Sequence, residues 1–244
     1  MGLGFLRASK IPSLTELVIG ETAVAVTVKV NPRARHYRLA VSRKGEPVLT
    51  FPASGRWAEA QAFLERNRGW LSKRLEKRGS IARLADGANV PLRGIEHTLL
   101  VRDSLRGTVE AGEGPAGPTL SVPGGADHFR RRLIDWFKTE ARSDIEARCA
   151  VHANTLGVSI AAIRMRDQST RWGSCSSARV LNFNWRLIMA PPFVLDYVAA
   201  HEVAHILEMN HAPAYWHTLA RALPDYERGK AWLKVHGQSL MAID

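Results

Sequence analysis

The chain changes its hydrophobic period along its length, and that change limits the fold more than any other feature. From Glu21 to Val30, Val24, Val26, Val28 and Val30 alternate with Ala23, Ala25, Thr27 and Lys29. A period of two puts every second side chain on one face of a strand. His36 to Val41 alternates again and meets Val48 to Phe51 across Arg43-Lys44-Gly45-Glu46, which predicts a hairpin. Between Ser54 and Gly79, Trp57, Ala60, Leu64, Trp70, Leu71 and Leu75 recur at three- and four-residue steps. This predicts one amphipathic helix with an Arg- and Lys-rich outer face. Short strands follow at His97 to Arg102, Thr108 to Glu110 and Thr119 to Val122.

Half of the sixteen residues from Glu110 to Gly125 are Gly or Pro, which breaks both periods and makes this stretch the best candidate for a domain boundary or a loop. Beyond it the pattern is mostly helical. A helix is expected from Asp127 to His152, a strand at Ile163 to Asp167, a polar loop from Arg171 to Ser177 and a strand at Val180 to Met189. Pro191 and Pro192 open a helix where a missing N–H costs nothing, and it runs to about Met209. Two short helices, Pro213 to Leu223 and Asp225 to Gly237, close the chain. No repeat is found. Residues 1–122 form a basic, β-rich amino-terminal region with one long helix, and residues 123–244 form a second, helical region.

With 34 Lys and Arg against 23 Asp and Glu, the net charge is +11, and 45% of residues are hydrophobic, enough for a core. No run of about 18 apolar residues and no secretory leader is present, and Leu6 stands where a myristoylation signal needs Ser or Thr. Two cysteines, Cys149 and Cys175, make no disulfide framework. The expected setting is the cytoplasm, away from membranes. The charge is local, since residues 29–83 hold 14 basic and 4 acidic side chains. Arg33, Arg35, Arg38, Arg43 and Lys44 on the hairpin, with Arg66, Arg68, Lys73, Arg74, Lys77 and Arg78 on the helix, suggest a phosphate-binding surface. Nucleic acid is therefore a candidate partner through Lys29 to Arg83.

His201-Glu202-Val203-Ala204-His205 is an HExxH sequence inside the helix opened by Pro192. Residues four apart share a helical face, so both imidazoles reach one cation, while Glu202 lies one step round, beside a metal-bound water. With 9 His and 14 Glu in 244 residues, shuffled chains contain this pattern only about 2% of the time. A catalytic zinc needs a third protein ligand. His211 is the first candidate, reached after the helix ends, with Asn210 suited to a left-handed C-cap. Metzincins place Gly where this chain has Glu208. Asp225 or Glu227 is the alternative third ligand. His36, His97, His128, His152, His217 and His236 show no ligand spacing.

Further residues sharpen the reading. Arg171-Trp172-Gly173-Ser174-Cys175-Ser176, Leu181-Asn182, Asn184-Trp185-Arg186-Leu187, Pro191-Pro192, Asp196-Tyr197-Val198, His201-Glu202, His205, Asn210-His211, Tyr215-Trp216 and Pro224-Asp225-Tyr226 together resemble the YgjP-like metallopeptidase family. That family is similar to WLM and SprT-like proteases in its active-site helix. The resemblance extends to Arg33–Val41, Trp70-Leu71 and Gly87–Gly94. It implies a zincin-like α+β catalytic region, one Zn2+ per chain on His201, His205 and His211, and Glu202 as the general base for a zinc-bound water that cleaves peptide bonds. The chain departs from the family at Phe183 and Val203, without loss of a ligand.

Arg171, Trp172, Asn184 and Tyr226 are the candidate substrate contacts. Arg171 and Tyr226 are placed to stabilise an oxyanion, and the strand carrying Asn184 serves as an edge for an extended polypeptide substrate. Cys175 is expected to be structural. Two alternatives stand beside the metallopeptidase. One is a protease recruited to nucleic acid, acting on DNA- or RNA-bound proteins. The other is a nucleic-acid-binding protein with a structural zinc, against which Glu202 counts.

Overall fold

The valine alternation does build a strand, at the centre of a small sheet. In a computed structural model describing residues 11–42, 45–76, 84–104, 106–168 and 170–243, the chain divides into two units, residues 1–81 and 82–244. The first contains β1 (Leu14–Ile19), β2 (Thr22–Asn31), β3 (Arg38–Val41) and β4 (Pro47–Pro52), in the order β1-β2-β4-β3. Two antiparallel hairpins, β1/β2 and β3/β4, are joined by parallel pairing of β2 with β4. The helices α1 (Trp57–Arg66) and α2 (Arg68–Glu76) cover one face, burying Ala60, Leu64 and Leu71 against Leu17, Val26, Val28, Leu49 and Phe51. Each of the larger side chains contributes roughly 1.5–3 kcal/mol on burial.

The single helix expected here is two, broken at Asn67, whose side-chain amide donates to the Phe63 carbonyl at 2.8 Å. Trp70, expected on the buried face, is 45% exposed. It precedes Leu71 by one residue, hence by about 100° of helical rotation, and Leu71 takes the core position. Arg43, Lys44, Lys77, Arg78 and Arg83 lie outside the described residues.

The second unit opens with β5 (Asn89–Leu92), β6 (Ile95–Arg102), β7 (Glu110–Gly114) and β8 (Gly117–Pro123), in the order β5-β6-β8-β7. The long helix α3 (Gly125–Leu156) follows. The Gly/Pro stretch is thus the β7/β8 hairpin, and the division falls at 81/82 instead of 122/123. The physical reason is a shared core. Leu120 and Val122 of β8 are buried in the same cluster as Phe129, Leu133 and Phe137 of α3, which a cut at 122 would bisect.

Strand order and pairing sense are the same in both sheets. The parallel register is also the same: Thr27 to Asn31 pair with Val48 to Pro52 as Thr98 to Arg102 pair with Thr119 to Pro123, each 71 residues further along. A repeat is therefore present, contrary to the sequence reading. Its trace in sequence is thin, Leu49-Thr50-Phe51-Pro52 against Leu120-Ser121-Val122-Pro123, because the hairpins around it differ in length.

The rest of the second unit is built on α3. β9 (Ala162–Arg166), β10 (Gly173–Cys175) and β11 (Val180–Asn184) form a sheet in the order β10-β11-β9. The strand expected to reach Met189 stops at Asn184, whose Oδ1 accepts from the Arg186 N–H and opens a 3-10 helix over Trp185–Met189. Three helices follow, α4 (Pro192–Ala204), α5 (Pro213–Ala222) and α6 (Tyr226–Met241). The β5/β6 turn is tied to this half: Arg93 N–H donates to the Ile188 carbonyl at 2.7 Å, and Gly94, at φ +81, abuts Pro191. Buried Arg186 pairs with Asp167 and donates to the Ile243 carbonyl, fixing the end of the chain. No described helix is long and apolar enough to cross a membrane.

Candidate functional site

Pro192 starts α4, and Val194, Leu195, Val198, Ala199, Ala200, Val203 and Ala204 are buried around nearly its whole circumference. A helix apolar all round is a core helix. His201 and Glu202 therefore project from a rigid, desolvated element. The helix ends at Ala204 and His205 is its C-cap at φ −63°, five residues before Asn210. Asn210 is not left-handed, because Arg93 and Arg179 are the positive-φ residues other than Gly among those described. Instead its Oδ1 accepts from the Ala212 N–H at 3.1 Å. The turn passes Glu208 without any left-handed residue, so the glycine of metzincins is not required there.

His201, His205 and His211 offer one ligand atom each within 4.8 Å of one another. Nε2 of His201 and Nε2 of His211 are 3.3 Å apart. Nδ1–H of His205 donates to the Glu208 carbonyl at 2.9 Å, which leaves its Nε2 as a free lone pair. Burial, then the neighbouring His205, His211 and Lys230 charges, lowers the His201 pKa to about 3, and burial also lowers that of His205. Both imidazoles are neutral near pH 7, the form that binds a metal. Asp225 and Glu227 are not part of this group, and Glu227 is held by Lys230 at 2.8 Å.

Tyr215, fully buried on α5, packs against all three imidazoles, with ring centroids 5.3 Å from His201, 4.5 Å from His205 and 4.7 Å from His211. Its hydroxyl donates to the His201 carbonyl at 3.2 Å. Trp216 stacks on His211 and its indole N–H donates to the His211 carbonyl at 3.2 Å, while Tyr226 stacks in turn on Trp216. The packing of Trp216 under His211 is what its spacing in the sequence suggests, whereas the part played by Tyr215 was missed. The adjacency Tyr215-Trp216, four and five residues past His211 at a Pro-started helix, was the available signal.

Glu202 is 4% exposed and its Oε2 has no hydrogen-bond partner among the described residues. Burial pushes its pKa up to about 8, opposed by the Arg171 guanidinium. Gly173 of β10 lies directly over it, since a Cβ there would overlap Oε1 and come within 2.6 Å of Cγ. β10 is an edge of its sheet and β11 its centre, so the edge faces belong to β10 and β9, not to the Val180 strand.

The four candidate substrate contacts separate. Arg171 is exposed and close enough to act on the Glu202 charge. Trp172 is half-buried against Gly237 of α6. Asn184 is buried, with its amide donating to the Gln168 carbonyl at 2.7 Å and its oxygen capping Arg186, so both ends are used internally. Tyr226 belongs to the stack behind His211. Cys175 lies outside the histidine group; burial raises its pKa to about 11, and its thiol donates to the Ser176 carbonyl at 3.4 Å.

Among curated proteins, none matches the chain. A crystal structure of the metallopeptidase zymogen of Pyrococcus abyssi abylysin is similar at 17% identity and a TM-score of 0.34, over 38% of this chain and 93% of that one. The family model described as YgjP-like, metallopeptidase domain, matches residues 35–236. That span takes in both units, the three converging histidines and the carboxylate beside them, and the chain belongs to the YgjP-like metallopeptidase family.

Proposed function

We propose that this chain is a zinc-dependent peptidase in which His201, His205 and His211 hold the metal and Glu202 is the general base. The observation that carries the reading is the convergence of three ligand nitrogens within 4.8 Å beside a buried carboxylate whose Oε2 has no partner. Two of the three imidazoles are kept neutral, and neutral nitrogen donors suit a borderline-soft divalent ion, so the donor set fits zinc. When bound, zinc supplies a Lewis acid that lowers the pKa of water toward neutrality and polarises a carbonyl.

The protein's own groups do the proton work. Glu202 accepts a proton at Oε2 from the attacking water and returns one to the departing peptide nitrogen. Burial raises its pKa to about 8, much nearer neutrality than an ordinary carboxylate, so it can both take up a proton and give one back. Arg171 sits outside the core, beside this carboxylate, and is the proposed contact for the developing oxyanion. A purely structural zinc would leave a costly buried carboxylate without purpose. Replacing Glu202 with Gln tests the reading. The variant keeps its metal and loses hydrolysis of a denatured protein by about 100-fold or more; hydrolysis at the wild-type rate removes Glu202 from the mechanism.

A further inference from the structure

The two ββββα copies differ in a way the fold does not demand. Residues 11–76 hold 11 Lys and Arg against 6 Asp and Glu, whereas the corresponding sheet and helix, residues 84–156, hold 9 against 10. The same strand order and register are thus built without excess positive charge. The helix faces differ as well. α3 packs against its sheet and also against the 3-10 helix and α4. In the first unit, Arg66, Trp70 and Lys73 stand exposed on the side of α1 and α2 away from Leu64 and Leu71.

Arg66, Trp70 and Lys73 lie at four- and three-residue steps, so they form one stripe about 10 Å long. The break at Asn67 keeps four-residue hydrogen bonding on both sides, since its N–H donates to the Phe63 carbonyl at 3.2 Å and its carbonyl accepts from the Leu71 N–H at 2.9 Å, so Arg66 and Trp70 stay on neighbouring turns. Arg68 is taken up by Glu65, but among the described residues no acidic partner is recorded for Arg66 or Lys73. Lys29 and Arg38 do not join them. They flank Thr50 in one row of the sheet, on the face turned away from Leu49 and Phe51, while the helices cover the other face.

We infer that the first unit binds single-stranded nucleic acid through Arg66, Trp70 and Lys73. A base stacks on the exposed indole, and the flanking cations take neighbouring phosphates. The alternation of cation, indole and cation is the arrangement that grips a strand without reading its sequence. A duplex offers no free base face to Trp70. An anionic membrane needs a broad apolar face to enter, and here the other large apolar residues of both helices are committed to the core, leaving the indole as the one large apolar side chain exposed on them. The inference is independent of the role assigned to Glu202. A peptidase held this way would meet substrates bound to the same strand.

The experiment is fluorescence anisotropy of a labelled oligothymidylate with the full chain across a salt series. Binding is expected at about 50 mM salt, with log K falling by about 0.7 per phosphate contact as log salt rises. Trp70→Ala weakens binding by about 10-fold and leaves the slope unchanged, because stacking releases no counterions. Arg66→Gln with Lys73→Gln instead reduces the slope by about 1.4. All three side chains are exposed, so circular dichroism remains that of the wild type. No binding at low salt overturns the inference, as does wild-type affinity and slope in both variants. Binding to vesicles rich in phosphatidylserine without binding to the oligothymidylate overturns it in favour of a membrane.

Discussion

The two copies of the four-stranded sheet share their strand order and parallel register, and the second is tied within its own unit to the helices that carry the histidines. In the second copy the β5/β6 turn donates to the 3-10 helix, Gly94 meets Pro191, and Arg93 reaches Asp144 and Glu140 on α3. In the first, the matching turn at Gly20 has nothing within 4 Å of the position a Cβ would take. In the second unit the topology therefore serves as a foundation for the 3-10 helix and the start of α4, whereas the Gly20 turn leaves room for a Cβ. Residues 1–81 carry 15 basic and 6 acidic side chains, and residues 82–244 carry 19 and 17. Charge is concentrated where the metal-ligand candidates are absent.

The sharpest way to break this contrast is at the third histidine. His211→Ala is expected to weaken zinc binding by more than about 100-fold and abolish hydrolysis, measured by competition with a chelator. Unchanged affinity would return the third ligand to Asp225 or Glu227. A smaller effect is expected beneath the ligands. Tyr215→Leu lowers zinc affinity about 10- to 100-fold by freeing all three imidazoles, whereas Tyr215→Phe keeps the ring and gives up one hydrogen bond of about 1 kcal/mol. Equal affinities for the two variants would reduce Tyr215 to ordinary packing.

A pair of glycines compares the copies directly. Both Gly20 and Gly94 are left-handed, so either Gly→Ala change costs about 1 kcal/mol in backbone strain. Gly94→Ala also drives a Cβ to 3.0 Å from Pro191, and a total near 3 kcal/mol is expected by urea denaturation. Equal costs would mean that the second turn is no better anchored than the first.

The smallest effect concerns the α3–α4 seam. Burial raises the Asp196 pKa, but hydrogen bonds from His152 at 2.6 Å and Arg148 at 2.7 Å outweigh it, and the net pKa lies below the ordinary 3.8. A folded pKa below the unfolded one contributes stability above pH 3.8 that is lost as pH falls further. Asp196→Asn should therefore flatten the dependence of melting temperature on pH below about 4. An unaltered acid limb would place the sensitivity elsewhere.

Much of this was legible. The valine alternation of β2, the hairpin β3/β4, the helical spacing of α3 and the Pro-started α4 and α5 follow from period and punctuation. The HExxH spacing, with a third histidine six residues on, announced the converging group. What escaped was tertiary. The Gly/Pro-rich stretch reads as a boundary because such residues punctuate, but whether a turn separates domains or closes a hairpin depends on the core that Leu120 and Val122 enter. Trp70 looks like core until Leu71 takes the buried position. Asn184 looks available on a strand until its two ends are seen to bond Gln168 and Arg186. Gly173 carries no side chain, so only proximity reveals that it makes room for Glu202.

The central claim is that one metal sits on His201, His205 and His211 beside a base that does not hold it. Zinc titrated into chelator-stripped protein, wild type and Glu202→Gln in parallel, tests both halves together. Saturation at about one zinc per chain is expected in each, with hydrolysis restored only in the wild type. Peptide hydrolysis by the stripped wild type, or restored hydrolysis in Glu202→Gln, would contradict it.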